Sequence, residues 1–169
     1  MDALEALKTR RSVRKYEKRP VPRALLEEIV DGGRMAATAR NVQPWAFVVV
    51  TEPGGLKSLA KATGVNGPFI ADAGACVVVL CEETKYYLED GSAAVQNLLV
   101  AARAKGIGSC WIAGDKKPYA EAVRALVGAP ATYRLIALVP LGWPAEHPQP
   151  SKKPMADVLH WERFNGPAI

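Results

Sequence analysis

The sequence predicts a three-layer sandwich of the α/β or α+β class, in which helices flank a central sheet. Helical patterns alternate with runs typical of buried strands along most of the chain. The 169 residues, 49% of them apolar and 23% charged, have the size and composition of an ordered domain. No internal repeat is visible, so we expect residues 1–169 to form a single domain.

The first third of the chain is predicted to contain two helices. Leu4 and Leu7 fall on one side of a short helix over Asp2–Lys8. Pro22 suits the first turn of a second helix, in which apolar residues recur at helical spacing. The Gly32-Gly33 pair weakens this second helix near its end.

Two buried strands and a short helix are predicted next. The β-branched run WAFVVVT predicts a strand over Trp45–Thr51. Pro53–Gly55 predicts a turn, and a short helix follows over Leu56–Ala62. ACVVVLC, Ala75–Cys81, predicts a second strand, and its two cysteines are five residues apart. They therefore face opposite sides of the strand, which disfavours a shared disulfide or metal. We interpret them, with Cys110, as core thiols.

The remaining regular elements complete the sandwich. Ala93–Lys105 is rich in alanine and leucine and is the best helix in the chain. Ser109–Ala113 is predicted to be a third strand, and Tyr119–Val127 a helix. Arg134–Leu141, RLIALVPL, is predicted to be a fourth strand.

A proline-rich tail is expected over about residues 142–169. GWPAEHPQPSKKP contains four prolines, which favour extended backbone over regular structure. Trp161 and Phe164 follow it and are large apolar side chains. An extended segment that carries such side chains needs a surface on which to lie.

Composition narrows the class of ligand and the cellular location. The net charge of +5 favours anionic ligands. No run approaches the roughly 20 apolar residues of a membrane-spanning helix, and the N-terminus lacks the pattern of a signal peptide. We therefore expect a cytoplasmic protein without a membrane partner. The basic residues form no stripe with interleaved aromatics, which disfavours nucleic acid.

Motifs for a catalytic nucleophile, a metal or a nucleotide are missing from the sequence. It contains no G-x-S-x-G elbow and no P-loop, and His147 and His160 lack metal-type spacing. Gly106-Ile107-Gly108 follows a predicted helix and precedes a strand, the reverse of the order that a dinucleotide fingerprint requires. We predict no metal site. If the protein is an enzyme, a cofactor carries the chemistry.

Two stretches could bind such a cofactor. RRSVRKY, Arg10–Tyr16, is either a run of charged residues exposed to solvent or a phosphate-binding site. The second interpretation is possible because Arg-Arg-Ser supplies guanidinium groups, a hydroxyl and backbone N–H groups. Asn41 and Gln43, just before Pro44 and a buried strand, are either a polar turn or a pair of amides that meet a heterocycle.

Four motifs in order resemble the nitroreductase family of FMN-dependent oxidoreductases: RRSVRKY, A-x-x-x-N-x-Q-P-W, QNLLVAARAKGIGSCWI and KKP. The resemblance covers almost the whole chain. It implies an α+β fold with a mixed sheet and a homodimer that binds two FMN molecules at its interface, with the tail on the partner subunit. It also implies a flavoprotein that moves electrons from NADH or NADPH to nitroaromatics, quinones or flavins.

The resemblance assigns residues to the two ends of FMN. Four side chains would hold the phosphate: Arg10, Ser12, Lys152 and Lys153. Arg11 would add main-chain or ribityl contacts, and Arg14 would place a cation near flavin N1 and O2. A loop would reach the flavin from the other subunit through Thr38, Ala39, Asn41 and Gln43. Asn66 would read the pyrimidine edge. The backbone near N5 would come from Ile112, Ala113 and Gly114.

Some features depart from the family pattern. Ala37 replaces a frequent proline, and Arg40 adds a cation beside Asn41. The stretch EETKYYLED is short, which predicts an open site with Tyr86 or Tyr87 as its only nearby aromatic residues.

No catalytic side chain is expected, and the implied mechanism is ping-pong. A non-catalytic FMN carrier or sensor would use the same motifs, and a nucleic-acid-binding module would leave them unexplained.

Overall fold

Five strands form the central layer of the computed structural model, which describes residues 1–166. They are β1 (Trp45–Val50), β2 (Ala75–Glu82), β3 (Gly108–Ser109), β4 (Ile112–Ala113) and β5 (Tyr133–Gly142). The sheet order is β1–β2–β5–β3, with β4 also paired to β5, and all these pairings are antiparallel. The strand predicted over 109–113 is therefore two short strands with an interruption at 110–111.

The predicted α+β class is confirmed, but the sheet is mixed only in a narrow sense. In the described part of the chain the sole parallel pairing is an isolated bridge between Ser12 and Ser109. A second isolated bridge, between Tyr16 and Pro144, is antiparallel. Parallel content is thus confined to the outer edge of the sheet, where the arginine-rich segment lies beside β3.

Five α-helices cover the two faces of the sheet: α1 (Ala3–Thr9), α2 (Arg23–Arg34), α3 (Pro53–Thr63), α4 (Tyr87–Ala104) and α5 (Ala120–Leu126). α4 packs with α1 and α2 on one face, and α3 packs with α5 on the other. The side chains of β2 alternate between the two cores, with Val77, Val79 and Cys81 toward α4 and Cys76, Val78 and Leu80 toward α3. The prediction that the two cysteines of β2 face opposite sides is confirmed.

Two helices begin earlier than the sequence pattern indicates. α3 begins at Pro53, because proline is favoured in the first helical turn, and the predicted Pro53–Gly55 turn is in fact that first turn. α4 begins at Tyr87 rather than at Ala93. Acidic residues stabilise the first turn of a helix, but they hide its apolar periodicity in the sequence.

Gly91 allows a close approach between α4 and the sheet. A Cβ atom there would lie 2.7 Å from Ile136 Cγ1 and 2.9 Å from Cys81 Sγ. We expect Gly91→Ala to lower the free energy of unfolding by about 1–3 kcal/mol, although alanine is the better helix former. Gly54→Ala in α3 is the control, because no atom lies within 4 Å of an added Cβ. Urea denaturation measures both variants, and equal effects would contradict the packing argument.

The proline-rich tail starts as a short ladder with its own chain. The Glu17 N–H donates to the Trp143 carbonyl and the Ala145 N–H donates to the Lys15 carbonyl, both at 2.9 Å. β5 ends at Gly142, one residue beyond the predicted strand. The base of the tail is therefore fixed beside the arginine-rich segment.

The distal tail exposes apolar side chains. A 3-10 turn at Met155–Asp157 is its one helical element within the described residues. Five large apolar side chains are between 45% and 80% exposed: Met155, Val158, Leu159, Trp161 and Phe164. The last part of the predicted tail, residues 167–169, lies outside the described residues.

Candidate functional site

The arginine-rich segment forms the outer edge of the sheet. The Val13 N–H donates to the Ser109 carbonyl at 2.9 Å, and Ser12 bridges to the same residue. Tyr16 is buried and its hydroxyl donates to the Val13 carbonyl at 2.7 Å. Burial strongly raises the pKa of Tyr16, so this hydroxyl stays protonated and structural. Tyr16 thereby fixes the backbone that carries the three arginines.

Three guanidinium groups lie along this edge without carboxylate partners. Among residues 1–166, none of the ion pairs involves Arg10, Arg11 or Arg14. Arg11 Nη1 donates to the carbonyls of Lys8 and Arg10, each at 2.8 Å, and so satisfies the C-terminus of α1. Arg11 Nε is buried with no hydrogen-bond partner in the described part of the chain. Within the described residues the three guanidinium groups thus have no ion-pair partner, although the Glu146 carboxylate lies on the same edge, and Arg11 Nε is an unused buried donor.

Arg14 connects this edge to the loop after α3. Its guanidinium carbon lies 5.9 Å from the centre of the Phe69 ring, and its backbone N–H donates to Glu146 Oε1 at 2.7 Å. A Cβ atom at Gly67 would lie 2.9 Å from Ile112 Cδ1, so the same loop also touches β4. The structure therefore brings together the arginines, the loop that follows α3, and β4.

The predicted ring-facing segments have defined backbones. The Tyr119 hydroxyl donates a short hydrogen bond to the Ala113 carbonyl. The Gly114 N–H donates to the Ile136 carbonyl at 2.9 Å. Asn66 is exposed, and its Nδ2 donates to the Thr63 carbonyl at 3.3 Å, so its amide caps the end of α3 within the chain.

The loop over Thr38–Gln43 lies at the opposite edge of the sheet, directly before β1. Ser12 is separated from β1 by four strand spacings, about 19 Å at about 4.8 Å per spacing. The loop is tied to α4, because Asp90 accepts hydrogen bonds from Thr38 Oγ1 at 3.1 Å and from the Ala39 N–H at 2.9 Å. One chain therefore presents its two predicted half-sites at two different edges.

Within the described chain, the two tail lysines, Lys152 and Lys153, make no hydrogen bond with the arginine-rich edge or the Thr38–Gln43 loop. A cavity beside Arg10 and Arg11 is also lined by tail residues from Pro144 to Gln149, but not by Lys152 or Lys153. Both lysines are exposed and form no ion pair with any described residue. Their predicted phosphate contact remains a prediction.

Of the two tyrosines in the short stretch before α4, Tyr87 lies nearer the ring-facing segment. Its hydroxyl donates to Asp115 Oδ1 at 3.0 Å, just after Gly114. Burial and the Asp115 carboxylate raise the pKa of Tyr87. Tyr86 is exposed, with Lys85 Nζ 5.1 Å from its ring centre. Tyr87 thus braces the segment that follows β4.

Burial makes the three cysteines inert. It raises the pKa of Cys81 to about 12 and also raises the pKa of Cys76. Burial raises the pKa of Cys110 too, although the charges of Arg14 and Arg10 and the Ser12 hydroxyl oppose the shift. Cys110 therefore lies beneath the arginine-rich edge as a packed thiol.

We expect no thiol to react with Ellman's reagent in the folded protein at pH 8, and three to react after unfolding. With a pKa of about 12, only about one Cys81 thiol in ten thousand is ionised at that pH, whereas an ordinary thiol is about one quarter ionised. Absorbance at 412 nm measures the released product. Fast reaction of any thiol in the native protein would contradict this reading.

Three contacting residues were not identified from the sequence: Phe69, Asp90 and Glu146. The sequence pattern predicts that this helix begins at Ala93, so Asp90 falls before it, although an acid in a helical first turn is a recognisable signal. Glu146 lies 132 residues from Arg14, and the contact has no local signature.

Comparison with known proteins identifies the family. The family model described as the nitroreductase family matches residues 7–71 and 61–143. The chain belongs to the nitroreductase family. The match ends before Lys152 and Lys153, so it does not extend to the predicted basic pair in the tail.

Relatives in several organisms support this assignment. A Methanothermobacter thermautotrophicus protein provisionally named NADH dehydrogenase/NAD(P)H nitroreductase is 33% identical over 97% of this chain and 88% of that protein. A Thermus thermophilus protein named NADH dehydrogenase is 30% identical over 95% of this chain and 96% of that protein.

Solved structures share the nitroreductase fold. A crystal structure from Bacteroides thetaiotaomicron, provisionally named NADH dehydrogenase/NAD(P)H nitroreductase, gives a TM-score of 0.90 at 30% identity over 96% of this chain and 98% of that one. An FMN-dependent nitroreductase from Clostridium difficile gives 0.89 at 24% identity over 95% and 99%. Within residues 1–166, no helix is long and apolar enough to cross a bilayer.

The residues present fit FMN. Its phosphate would need a guanidinium group and a hydroxyl, which Arg10 and Ser12 could supply. No described carboxylate forms an ion pair with the guanidinium groups of this edge. The buried Nε of Arg11 is an unused donor in the same segment. The exposed amides of Asn41 and Gln43 can meet the donors and acceptors of the ring.

Proposed function

We propose that the protein is an FMN-dependent oxidoreductase that oxidises NADH or NADPH and reduces a nitroaromatic, quinone or flavin acceptor in ping-pong order. The observation that carries the proposal is the arginine-rich edge Arg10–Arg14, whose guanidinium groups form no ion pair with any described residue in a chain of the nitroreductase family. The names of the relatives above support the nucleotide substrate, and the FMN-dependent neighbour shares the fold.

Bound FMN would supply the redox chemistry, namely hydride acceptance from NAD(P)H and two-electron reduction of the acceptor. The chain's own residues bind and orient it. Arg10 and Ser12 would hold the phosphate, and Arg14 would bring positive charge to the N1 and O2 edge. Tyr119 holds the Ala113 carbonyl and fixes the backbone that faces N5. No protein nucleophile is needed.

A homodimer is part of the proposal, because the two groups of residues predicted to bind FMN lie at opposite edges of the sheet in a single chain. Two copies would let the Thr38–Gln43 loop of one chain meet the arginine-rich edge of the other. The side-chain amides of Asn41 and Gln43 are exposed in the single chain, so they are available to a ligand. The two edges together would complete the site that neither completes alone.

The distal tail supports the same arrangement. Its exposed apolar side chains have no core of their own to enter. An open groove lies between α2 and β1, and its lining combines apolar residues (Val21, Leu26, Val30 and Val49) with polar and charged ones (Arg23, Glu27, Asp31, Arg34 and Thr51). β1 is an edge strand with unused backbone groups. We propose that the tail of each chain lies against its partner subunit, where such a groove can bury Trp161 or Phe164.

Arg14→Ala is expected to lower the midpoint potential of bound FMN by about 30 mV. A cation at ~4 Å favours added negative charge by up to ~4 kcal/mol at an effective dielectric of 20, and ~1.4 kcal/mol corresponds to ~30 mV for two electrons. Arg14 is exposed, so solvent screens much of that maximum. Spectroelectrochemical titration measures the shift. Arg14→Lys should retain most of the wild-type potential, and an unchanged Arg14→Ala value would contradict the assignment.

The proposed function is tested by purifying the protein, adding FMN and recording its visible spectrum. We expect flavin absorbance that stays with the protein, and steady oxidation of NADH or NADPH when a quinone or nitroaromatic acceptor is present. A protein that binds FMN without turnover would be a carrier or sensor. A protein that takes up no FMN would overturn the proposal.

A further inference from the structure

The loop Thr38–Gln43 has a strained backbone without packing to hold it. Arg40, Asn41 and Gln43 have φ values of 54°, 58° and 52°, in the left-handed region that non-glycine residues adopt at a cost. All three side chains are exposed. Such a conformation persists only where surrounding contacts impose it. The restraint must therefore come from the polar contacts of the loop.

Asp90 contributes to that restraint from the first turn of α4, in addition to the Asn41 and Val42 N–H groups, which donate to the Thr38 and Ala39 carbonyls at 3.2 Å. Its side chain is buried, with 5% exposure, and both carboxylate oxygens face the loop. Oδ2 accepts from Thr38 Oγ1 at 3.1 Å, and Oδ1 accepts from the Ala39 N–H at 2.9 Å. Thr38 Oγ1 in turn accepts from the Gln43 N–H at 3.1 Å. This chain of hydrogen bonds ties the start and the end of the loop to one buried group.

We propose that Asp90 is a positioning residue that holds the Thr38–Gln43 loop in its strained conformation and so presents Asn41 and Gln43 to the cofactor. The part that concerns the cofactor rests on the proposed function. Asp90 acts through Thr38 and Ala39 and touches neither Asn41 nor Gln43 by its own side chain. An ionised carboxylate is suited to this task, because both of its oxygens accept hydrogen bonds.

Asparagine at this position cannot reproduce the arrangement. Its Oδ1 could still accept from the Ala39 N–H, but its Nδ2 is a donor. The Thr38 hydroxyl, which already accepts from the Gln43 N–H, would then have no acceptor for its own proton. Asp90→Asn should therefore release the loop without removing volume from the core.

Hydrogen exchange in the FMN-free protein tests the restraint directly. We expect the Ala39 and Gln43 amides to exchange at least about tenfold faster in Asp90→Asn and in Thr38→Val, and at wild-type rates in Thr38→Ser. Glu89→Gln is the matched control, because it removes an exposed charge from the same helical turn. Wild-type exchange in both Asp90→Asn and Thr38→Val would overturn the proposal. If Asp90→Asn fails to fold, Thr38→Val and Thr38→Ser decide the result.

FMN titration of Asp90→Asn and Glu89→Gln tests the consequence for the cofactor, because neither residue is a predicted FMN contact. We expect Asp90→Asn to weaken FMN binding about tenfold and Glu89→Gln to leave it unchanged. Faster exchange with unaltered FMN affinity would overturn the positioning role. If the wild-type protein binds no FMN, the proposed function fails, while the exchange rates still decide whether Asp90 holds the loop.

Discussion

Arg10→Ala is expected to weaken FMN binding by about 10–100-fold and to leave riboflavin binding within about threefold of wild type. A charge-assisted hydrogen bond to phosphate contributes about 1.5–3 kcal/mol, and each 1.4 kcal/mol is a tenfold change in affinity. Riboflavin lacks the phosphate, so it reports on the ring and the ribityl chain alone. Quenching of flavin fluorescence gives both dissociation constants.

Lys15→Ala is the matched control for Arg10→Ala, because Lys15 is an exposed cation in the same segment and carries no predicted contact. It should change neither constant beyond a small effect of net charge. Raising the salt concentration should narrow the gap between wild type and Arg10→Ala only partly, since Arg10 is half-buried. Equal losses for FMN and riboflavin would show that Arg10 acts on the fold rather than on the phosphate.

Ending the chain after Gln149 is expected to convert the proposed dimer to a monomer and to reduce FMN retention severely. The deletion removes the distal tail with its five apolar side chains, which are exposed in the single chain. We expect the partner subunit to bury them in the proposed dimer. Burial of an apolar side chain of this size stabilises by about 1.5–3 kcal/mol, so the loss of several is large. Sedimentation velocity measures the mass in solution.

A double substitution, Trp161→Ala with Phe164→Ala, separates the apolar contacts from the loss of Lys152 and Lys153. It should weaken the dimer, whereas Leu126→Ala, an exposed leucine on α5, should not. Thermal unfolding checks that each protein retains its core. A truncated chain that stays dimeric at micromolar concentration would place the interface elsewhere, for example on the exposed Leu4 and Leu7 of α1.

The RRSVRKY stretch shows how far a local motif can be interpreted. Its composition alone allowed a solvated charge run as well as a phosphate socket. The structure separates its members, because Arg11 caps α1, Arg14 lies over Phe69 and Tyr16 is a buried anchor. Each of these roles depends on a neighbour that no spacing rule within the stretch identifies.

Regular elements and the alternation of the cores followed from the sequence by itself. The continuous apolar run of β2 and the alanine- and leucine-rich pattern of α4 are buried in the fold, and Cys76 and Cys81 face opposite cores as predicted. Only the tertiary structure decided which sheet edge each predicted half-site occupies, and that Asp90 accepts a hydrogen bond from the Ala39 N–H and Glu146 from the Arg14 N–H. These features arise from contacts between distant segments, and the hydrogen bonds that form them leave no period in the sequence.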